Sequence, residues 1–126
     1  MIVKGTTTRV IGQETESLAC HYLQTQGLGL LERNFSGPQG EIDLIMEDRQ
    51  SLVFIEVRYR RNNNFGSGAE TITRSKQKKL LATAARYLQR HPLQADRPAR
   101  FDVVSICMEN NRPSINWIKN AFMALA

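Results

Sequence analysis

Two short segments, residues 40–45 and 54–58, place carboxylates inside otherwise apolar, strand-like sequence, and this pattern constrains the fold most. They have the sequences Gly-Glu-Ile-Asp-Leu-Ile and Phe-Ile-Glu-Val-Arg. Alternation along a strand puts Asp43 on the same face as Glu41. A carboxylate in an apolar strand is costly to bury unless it is paired or holds a metal. Two such strands joined by a short turn are therefore expected to bring Asp43 and Glu56 together.

Apolar periodicity along the rest of the chain predicts the order α-β-β-β-α-β-β, which is an α/β fold with a mixed sheet flanked by helices. The connection through the second helix is long enough for a parallel crossover. The predicted helices are Val10–Gln26 and Thr73–Arg90, and the predicted strands are Leu28–Asn34, Glu41–Glu47, Ser51–Arg60, Arg100–Met108 and Ser114–Ile118. Between and after them we expect a turn over 36–40, a polar loop over 61–70 and a helical turn over Lys119–Leu125.

Size and charge suit one globular domain with a polyanionic partner. The 126 residues are expected to form a single domain over 1–126, with 1–8 as a loose leader. The net charge of +5 is compatible with nucleic acid, although many small basic proteins have other partners. No apolar run approaches the ~20 residues needed to cross a bilayer, so no membrane partner is expected. The first residues lack the apolar region of a signal peptide, and Cys20 and Cys107 suit a reducing compartment, which together predict a cytoplasmic protein.

Glu16 is the first candidate site residue, because it lies on the apolar stripe of the first predicted helix. Ala19, Cys20 and Leu23 share that stripe by their spacing. A carboxylate on this face has two interpretations. It either points toward a functional site or lies at the helix edge and pairs with an arginine.

Asp43 and Glu56 are the residue types that bind Mg²⁺ or Mn²⁺, which prefer oxygen ligands. The backbone carbonyl of Val57 is a plausible third ligand, and such an ion activates water for phosphodiester hydrolysis. The alternative is a solvent-exposed face of the sheet, on which Arg58 or Arg60 neutralises the carboxylates.

Basic residues cluster around the second acidic strand and the start of the second helix. Arg58 can clamp a phosphate, but arginine does not lose its proton and so cannot act as a base. The alternative is a purely structural ion pair of Arg58 with Glu56. The start of a helix also favours phosphate, although a solvated basic face is common. The residues expected to contact nucleic acid are Arg58, Arg60, Arg61, Lys76 and Lys79.

Several of these motifs together resemble the YraN family of small bacterial proteins. The resemblance runs from about Glu16 to Ala121. It rests on Glu16-x-x-Ala19-x-x-Tyr22-Leu23, Arg33-Asn34-Phe35, Gly40-Glu41-Ile42-Asp43-Leu44-Ile45, Val53-Phe54-Ile55-Glu56-Val57-Arg58, Lys76, Tyr87-Leu88 and Arg100-Phe101-Asp102-Val103-Val104.

The resemblance implies a restriction-endonuclease-like fold, similar to archaeal Holliday-junction resolvases. It implies a catalytic set of Glu16, Asp43, Glu56 and Arg58, with Mg²⁺ or Mn²⁺ as cofactor, DNA as partner and a homodimer by analogy. Arg58 stands where such sites have a lysine, which puts activity in question, and Lys76 is a candidate substitute.

Three functions remain open from the sequence. The first is a metal-dependent nuclease acting on structured or branched DNA. The second is a non-catalytic nucleic-acid-binding module with a degenerate nuclease site. The third is a protein-interaction adaptor in which the acidic residues are only structural.

Overall fold

A computed structural model describes residues 8–60 and 72–122, with side chains described from residue 12 onward. The elements within these ranges are α1 (Thr8–Thr25), β1 (Gly29–Gly37), β2 (Gly40–Asp48), β3 (Ser51–Arg60), α2 (Arg74–Arg90), a short 3-10 helix (Pro92–Gln94), β4 (Ala99–Glu109) and β5 (Arg112–Phe122). The predicted α/β class and element order are confirmed. The predicted loop over 61–70 lies outside the described residues.

The five strands form one mixed sheet in the order β1-β2-β3-β4-β5. The β1–β2, β2–β3 and β4–β5 pairs are antiparallel, whereas β3 and β4 are parallel. The parallel pair follows from the chain passing through α2, and it confirms the predicted crossover. This five-stranded sheet flanked by two helices agrees with the restriction-endonuclease-like arrangement that the resemblance implies.

Two apolar clusters fill the space between the sheet and its helices. Phe54 and Phe101 pack with Leu80 and Tyr87 of α2. The other cluster joins α1 to the sheet and contains Ala19, Leu23, Leu44, Met46, Val53, Ile55, Val104 and Ile106. Burial of these side chains drives folding, at about 25 cal/mol per Å² of apolar surface removed from water.

The alternation of β2 is interrupted beside Asp43. Strict alternation would put Ile42 and Leu44 on one face, but Ile42 packs in the α2 cluster and Leu44 in the α1 cluster. The β2–β3 pairing also ends here, with Leu44 opposite Ile55. Asp43 is therefore one residue beyond the last paired position, where the two strands separate. We call this point the β2–β3 divergence.

α2 begins with a side-chain cap and presents an apolar stripe to the sheet. The hydroxyl of Thr73 accepts the backbone N–H of Lys76 at 3.1 Å. The buried stripe consists of Leu80, Thr83, Ala84 and Tyr87. The N-cap satisfies one of the backbone donors left unpaired at a helix start, which explains why the helix begins at Arg74.

The end of the chain differs from the prediction. β5 continues through residues 119–122, so the helical turn expected from Lys119 is wrong as far as Phe122; residues 123–125 lie outside the described part. Phe122 pairs with Phe101, and the register shifts between Phe101 and Val103. Pairing with the buried β4 supplies backbone hydrogen bonds, which outweighs the local preference for helix.

Two further boundaries differ from the prediction. β1 extends to Gly37, so the turn over 36–40 contracts to Pro38 and Gln39. α1 already includes Thr8, two residues before the predicted helix start at Val10, and residues 1–7 of the expected leader lie outside the described residues. Neither described helix is long and apolar enough to span a bilayer.

Candidate acidic site at the β2–β3 divergence

Asp43 links the two strands where their backbone pairing has ended. Its Oδ2 accepts the backbone N–H of Val57 at 2.8 Å. The carboxylate thus takes the place of a backbone partner just past the Leu44–Ile55 pair. In a strand, the N–H and C=O of one residue point to the same side. The Val57 carbonyl therefore also faces the opening that contains Asp43.

Glu16 reaches the same opening from α1. Its carboxyl group lies beside that of Asp43. The Asn34 amide lies beside it, oriented so that Nδ2 donates to Glu16 Oε1 at 2.9 Å. Arg33 Nη2 is 3.9 Å from the same oxygen, at the outer limit of an ion pair. Both interpretations of Glu16 therefore hold in part, since it joins the acidic site and also lies near an arginine.

Glu56 completes the group from β3 and has a cation beside it. Lys76 Nζ, from the first turn of α2, lies 3.5 Å from Glu56 Oε2. Only 13% of the Glu56 side chain is exposed, against 42% for Lys76. The ammonium therefore shields one side of a mostly buried carboxylate while remaining partly in water.

Burial in this site raises the pKa values of Asp43 and Glu16. Burial, followed by the nearby charge of Glu56, raises the pKa of Asp43 to about 8, although the Val57 N–H opposes the shift. Burial also raises the pKa of Glu16. The raised pKa favours the protonated form of the Asp43 carboxyl group near neutral pH.

The site therefore brings together Glu16, Asp43 and Glu56 from three elements. Across the described ranges, no cluster of three or more His, Cys, Asp or Glu side chains has the spacing of a complete metal site. Any ion here would have Asp43, Glu56 and the Val57 carbonyl as its protein ligands. Such a small ligand set suits Mg²⁺, which usually keeps several waters.

The predicted basic residues divide into four groups. Lys76 contacts the site. Arg58 is half-buried on β3 opposite Ser105, and Arg60 lies two residues further along the same strand. Lys79 is exposed one turn after Lys76, with its Cβ near Gly40 instead of the carboxylates. Arg61 lies outside the described residues.

Sequence reasoning missed the partners of Glu16. Asn34 has a positive φ of 54°, a conformation in which asparagine is enriched. Arg33 also donates to the Ser17 hydroxyl at 3.2 Å. The Arg33-Asn34-Phe35 motif was the available signal, but nothing in its spacing indicates contact with a helix earlier in the chain.

A family model described as "Uncharacterised protein family UPF0102" matches residues 15–106 of this chain. The chain belongs to this family. UPF0102 is the family identified above as YraN, so the resemblance is confirmed. The matched range contains every carboxylate of the acidic site, as well as Lys76.

Relatives from several bacteria bear the family name. A UPF0102 protein from Nitrosococcus oceani is 52% identical over 120 residues, which cover 95% of this chain and 97% of that protein. One from Coxiella burnetii is 50% identical over 114 residues, covering 90% and 92%. Another from Francisella tularensis is 48% identical over 113 residues, covering 89% and 93%. These names identify the family and state no activity.

Proposed function

We propose that the protein is a nuclease-type, nucleic-acid-binding protein that hydrolyses phosphodiesters of structured or branched DNA with the help of a divalent metal ion. One observation carries this proposal. Glu16, Asp43 and Glu56 come from a helix and two strands and meet where β2 and β3 separate. An opening lined by carboxylates and edged by a lysine suits a metal ion and a phosphate together.

The donor atoms fit Mg²⁺ or Mn²⁺. Asp43 and Glu56 supply carboxylate oxygens, and the Val57 carbonyl faces the same opening. Burial, followed by the nearby charge of Glu56, raises the pKa of Asp43 to about 8, and a cation between the carboxylates would relieve their repulsion. When bound, the ion would polarise a phosphate oxygen and lower the pKa of a coordinated water.

The surrounding side chains of the chain have distinct tasks in this proposal. Lys76 holds Glu56 in place and adds positive charge beside the incoming phosphate. Asn34 orients Glu16, and Glu16 in turn lies beside Asp43. Arg58 keeps its charge at every working pH, so it can attract phosphate but cannot remove a proton from water.

The proposed partner and location follow from charge and from the resemblance. A net charge of +5 favours a polyanion, and the sequence predicts DNA contacts at Arg60, Arg61 and Lys79. The family resemblance adds a homodimer, and the two cysteines add a cytoplasmic location. Both remain parts of the proposal.

Cation binding and cleavage test the proposal together. Mn²⁺ binding is measured by calorimetry, and cleavage is assayed on a four-way DNA junction and on a matched linear duplex with Mg²⁺ or Mn²⁺. Asp43→Asn should abolish both cation binding and cleavage. Asp96→Asn, an exposed carboxylate outside the site, is the matched control and should change neither. Cleavage that persists at wild-type rate in Asp43→Asn would overturn the proposal.

A second candidate, a binding module that does not cut, is favoured by Arg58 in the position of the lysine. Such a protein would bind the junction equally well in EDTA, and its affinity would fall steeply with salt. Arg58→Lys discriminates between the candidates. Cleavage that appears only in this variant would identify a site with intact geometry and a missing base. Absence of any DNA binding at low salt would instead favour an adaptor that binds proteins.

A further inference from the structure

A second concave site lies at the opposite end of the sheet from the acidic site. It is a cavity of about 820 Å³, within the ~300–1,000 Å³ range of small-molecule sites. Its lining includes Gln26, Arg49, Gln50, Arg100, Trp117 and Lys119. We call it the Trp117 cavity. Along β3 it begins at Ser51, six residues before Val57, so the two sites are separated by roughly 20 Å.

A buried carboxylate fixes the back wall of the Trp117 cavity. Asp102 is 1% exposed. It accepts Arg100 Nε at 3.0 Å, Trp117 Nε1 at 3.0 Å and the backbone N–H of Asn120 at 3.0 Å. Arg100 Nη2 also donates to Asp48 at 3.0 Å. The guanidinium and the indole are therefore held in position before any ligand arrives, which lowers the entropic cost of binding.

The β2–β3 turn, at the rim of the Trp117 cavity, is also held in place by hydrogen bonds. Arg97 donates to the backbone carbonyls of Arg49 and Gln50, at 3.1 and 2.9 Å, and so clamps the β2–β3 turn. Arg97 also pairs with Glu47 at 3.1 Å. The turn keeps its shape because of these contacts, including the φ of 59° at Arg49.

The cavity combines an aromatic surface with positive charge. Lys119 Nζ lies 4.5 Å from the centre of the Trp117 ring. Three cationic side chains, Arg49, Arg100 and Lys119, face two carboxylates, Asp48 and the buried Asp102, which leaves an excess of one positive charge. The nearby end of α1 adds little negative charge, because the backbone N–H groups of residues 26–28 cap its last carbonyls.

We propose that the Trp117 cavity binds a nucleoside phosphate, either free or as one unit of a single strand. The base stacks on the Trp117 indole in place of the Lys119 ammonium. Lys119 and Arg49 then pair with the phosphate, and the side-chain amides of Gln26 and Gln50 are available for the edge of the base. A planar ring joined to an anion matches the indole and the cations at once.

Trp117 itself reports the binding, because it is the single tryptophan of the chain. Titration with deoxyadenosine monophosphate should quench its fluorescence in a saturable way. Deoxyadenosine and inorganic phosphate, each tested alone, should bind at least about tenfold more weakly. If deoxyadenosine or inorganic phosphate alone bound as tightly as the monophosphate, the proposal that the cavity uses stacking and charge together would be overturned. A short oligodeoxythymidylate strand distinguishes the two possible ligands. Tighter binding of the strand than of the monophosphate would identify a single strand as the ligand. Weaker binding of the strand would identify a free nucleotide.

Variants localise the effect. Lys119→Ala and Arg49→Asn should each weaken binding of the monophosphate by about tenfold. Asparagine is chosen for position 49 because it tolerates the positive φ there. Lys78→Ala, an exposed lysine on α2, is the control and should leave the affinity unchanged. Circular dichroism verifies that each variant is folded. Absence of quenching at millimolar nucleotide, or equal affinity in both cavity variants and wild type, would overturn the proposal.

The outcome is independent of the acidic site. Asp43→Asn should leave the Trp117 titration unchanged, because the two sites lie at opposite ends of the sheet. A failed titration would therefore leave the nuclease proposal intact, and a failed cleavage assay would leave the cavity proposal intact.

Discussion

Lys76 Nζ lies 3.5 Å from Glu56 Oε2, so a lysine ammonium reaches the acidic site from the first turn of α2. The two residues are twenty positions apart in the chain. The crossover from β3 to β4 through α2 brings the first turn of that helix close to Glu56. A lysine near the acidic strands is thus present in space although the strand itself has Arg58.

Replacing Lys76 with methionine should affect binding of DNA more than folding. The lysine is 42% exposed, so the pair with Glu56 contributes only about 0–1 kcal/mol to stability. We expect the free energy of unfolding in urea to change by less than about 1 kcal/mol. Affinity for DNA should fall, and the slope of log affinity against log salt should decrease by about one.

Lys78→Met is the matched control for this variant, since Lys78 is exposed on the same helix without a contact to Glu56 in the described structure. Lys78→Met should leave the slope of log affinity against log salt closer to that of the wild type than Lys76→Met does. Equal slopes in the Lys76 and Lys78 variants would contradict a specific role for Lys76.

Asp43→Asn should make the protein more stable near neutral pH. The pKa of Asp43 is about 8 in the fold, against 3.8 for the ordinary group. The unfolded chain therefore releases this proton at lower pH than the folded protein. The corresponding stability is present below about pH 4 and is lost as pH rises toward 8. Asparagine removes this loss, because it does not ionise.

The measurement is the melting temperature of both proteins from pH 4 to pH 9, in EDTA. The curve of the wild type should fall more steeply than that of Asp43→Asn over this range. Glu109→Gln, at an exposed position at the end of β4, is a control that keeps the acidic site intact. Parallel curves for wild type and Asp43→Asn would show that the Asp43 carboxyl group titrates normally.

Thr73→Ala should destabilise α2 through loss of its N-cap. The Thr73 hydroxyl accepts the Lys76 N–H at 3.1 Å, and loss of such a cap costs about 1 kcal/mol. Ser75→Ala, inside the first turn and exposed, should change stability by less. Chemical denaturation of the pair measures the difference. A cost for Ser75→Ala as large as that for Thr73→Ala would argue against the cap.

Asp102→Ala should be the most damaging of these substitutions. The carboxylate is buried and accepts hydrogen bonds from Arg100, Trp117 and Asn120. Removing one partner of a buried ion pair costs about 3–5 kcal/mol, since the remaining charge is left uncompensated. Thermal unfolding measures the loss, and Trp117 fluorescence should shift to longer wavelength as the indole loses its fixed position. The exposed Asp96→Ala is the control, and similar losses in the two variants would contradict this account.

Local patterns in the chain were enough to predict most of the fold. The start of α2 near Thr73, the hairpin of β2 and β3, and the parallel crossover to β4 each follow from short-range spacing and connection length. The spacing of apolar residues predicts a core stripe of α2 made of Leu80, Leu81, Ala84, Ala85 and Leu88, and this prediction is only partly confirmed. Leu80 and Ala84 are buried as expected and Leu81 and Leu88 are half-buried, but Ala85 is exposed and Tyr87 takes its place in the core.

Strand boundaries were harder because they depend on the neighbouring strand. The predicted helical turn after Ile118 failed since β4 requires a partner along nearly all of its length, which Lys119–Phe122 helps to supply. The register shift opposite Asp102 has the same origin. It places the Asn120 N–H on the buried carboxylate, a contact that no periodicity in the sequence indicates.

By itself, the sequence determined which residues are chemically able to form the acidic site, because carboxylates at Glu16, Asp43 and Glu56 interrupt apolar patterns at identifiable positions. Only the tertiary structure decided how they meet. The strands separate just past Leu44, Asp43 accepts the Val57 N–H, and Asn34 and Lys76 arrive from other elements. Such contacts depend on where the sheet twists apart and where a helix crosses it, which are properties of the packed chain and not of any one segment.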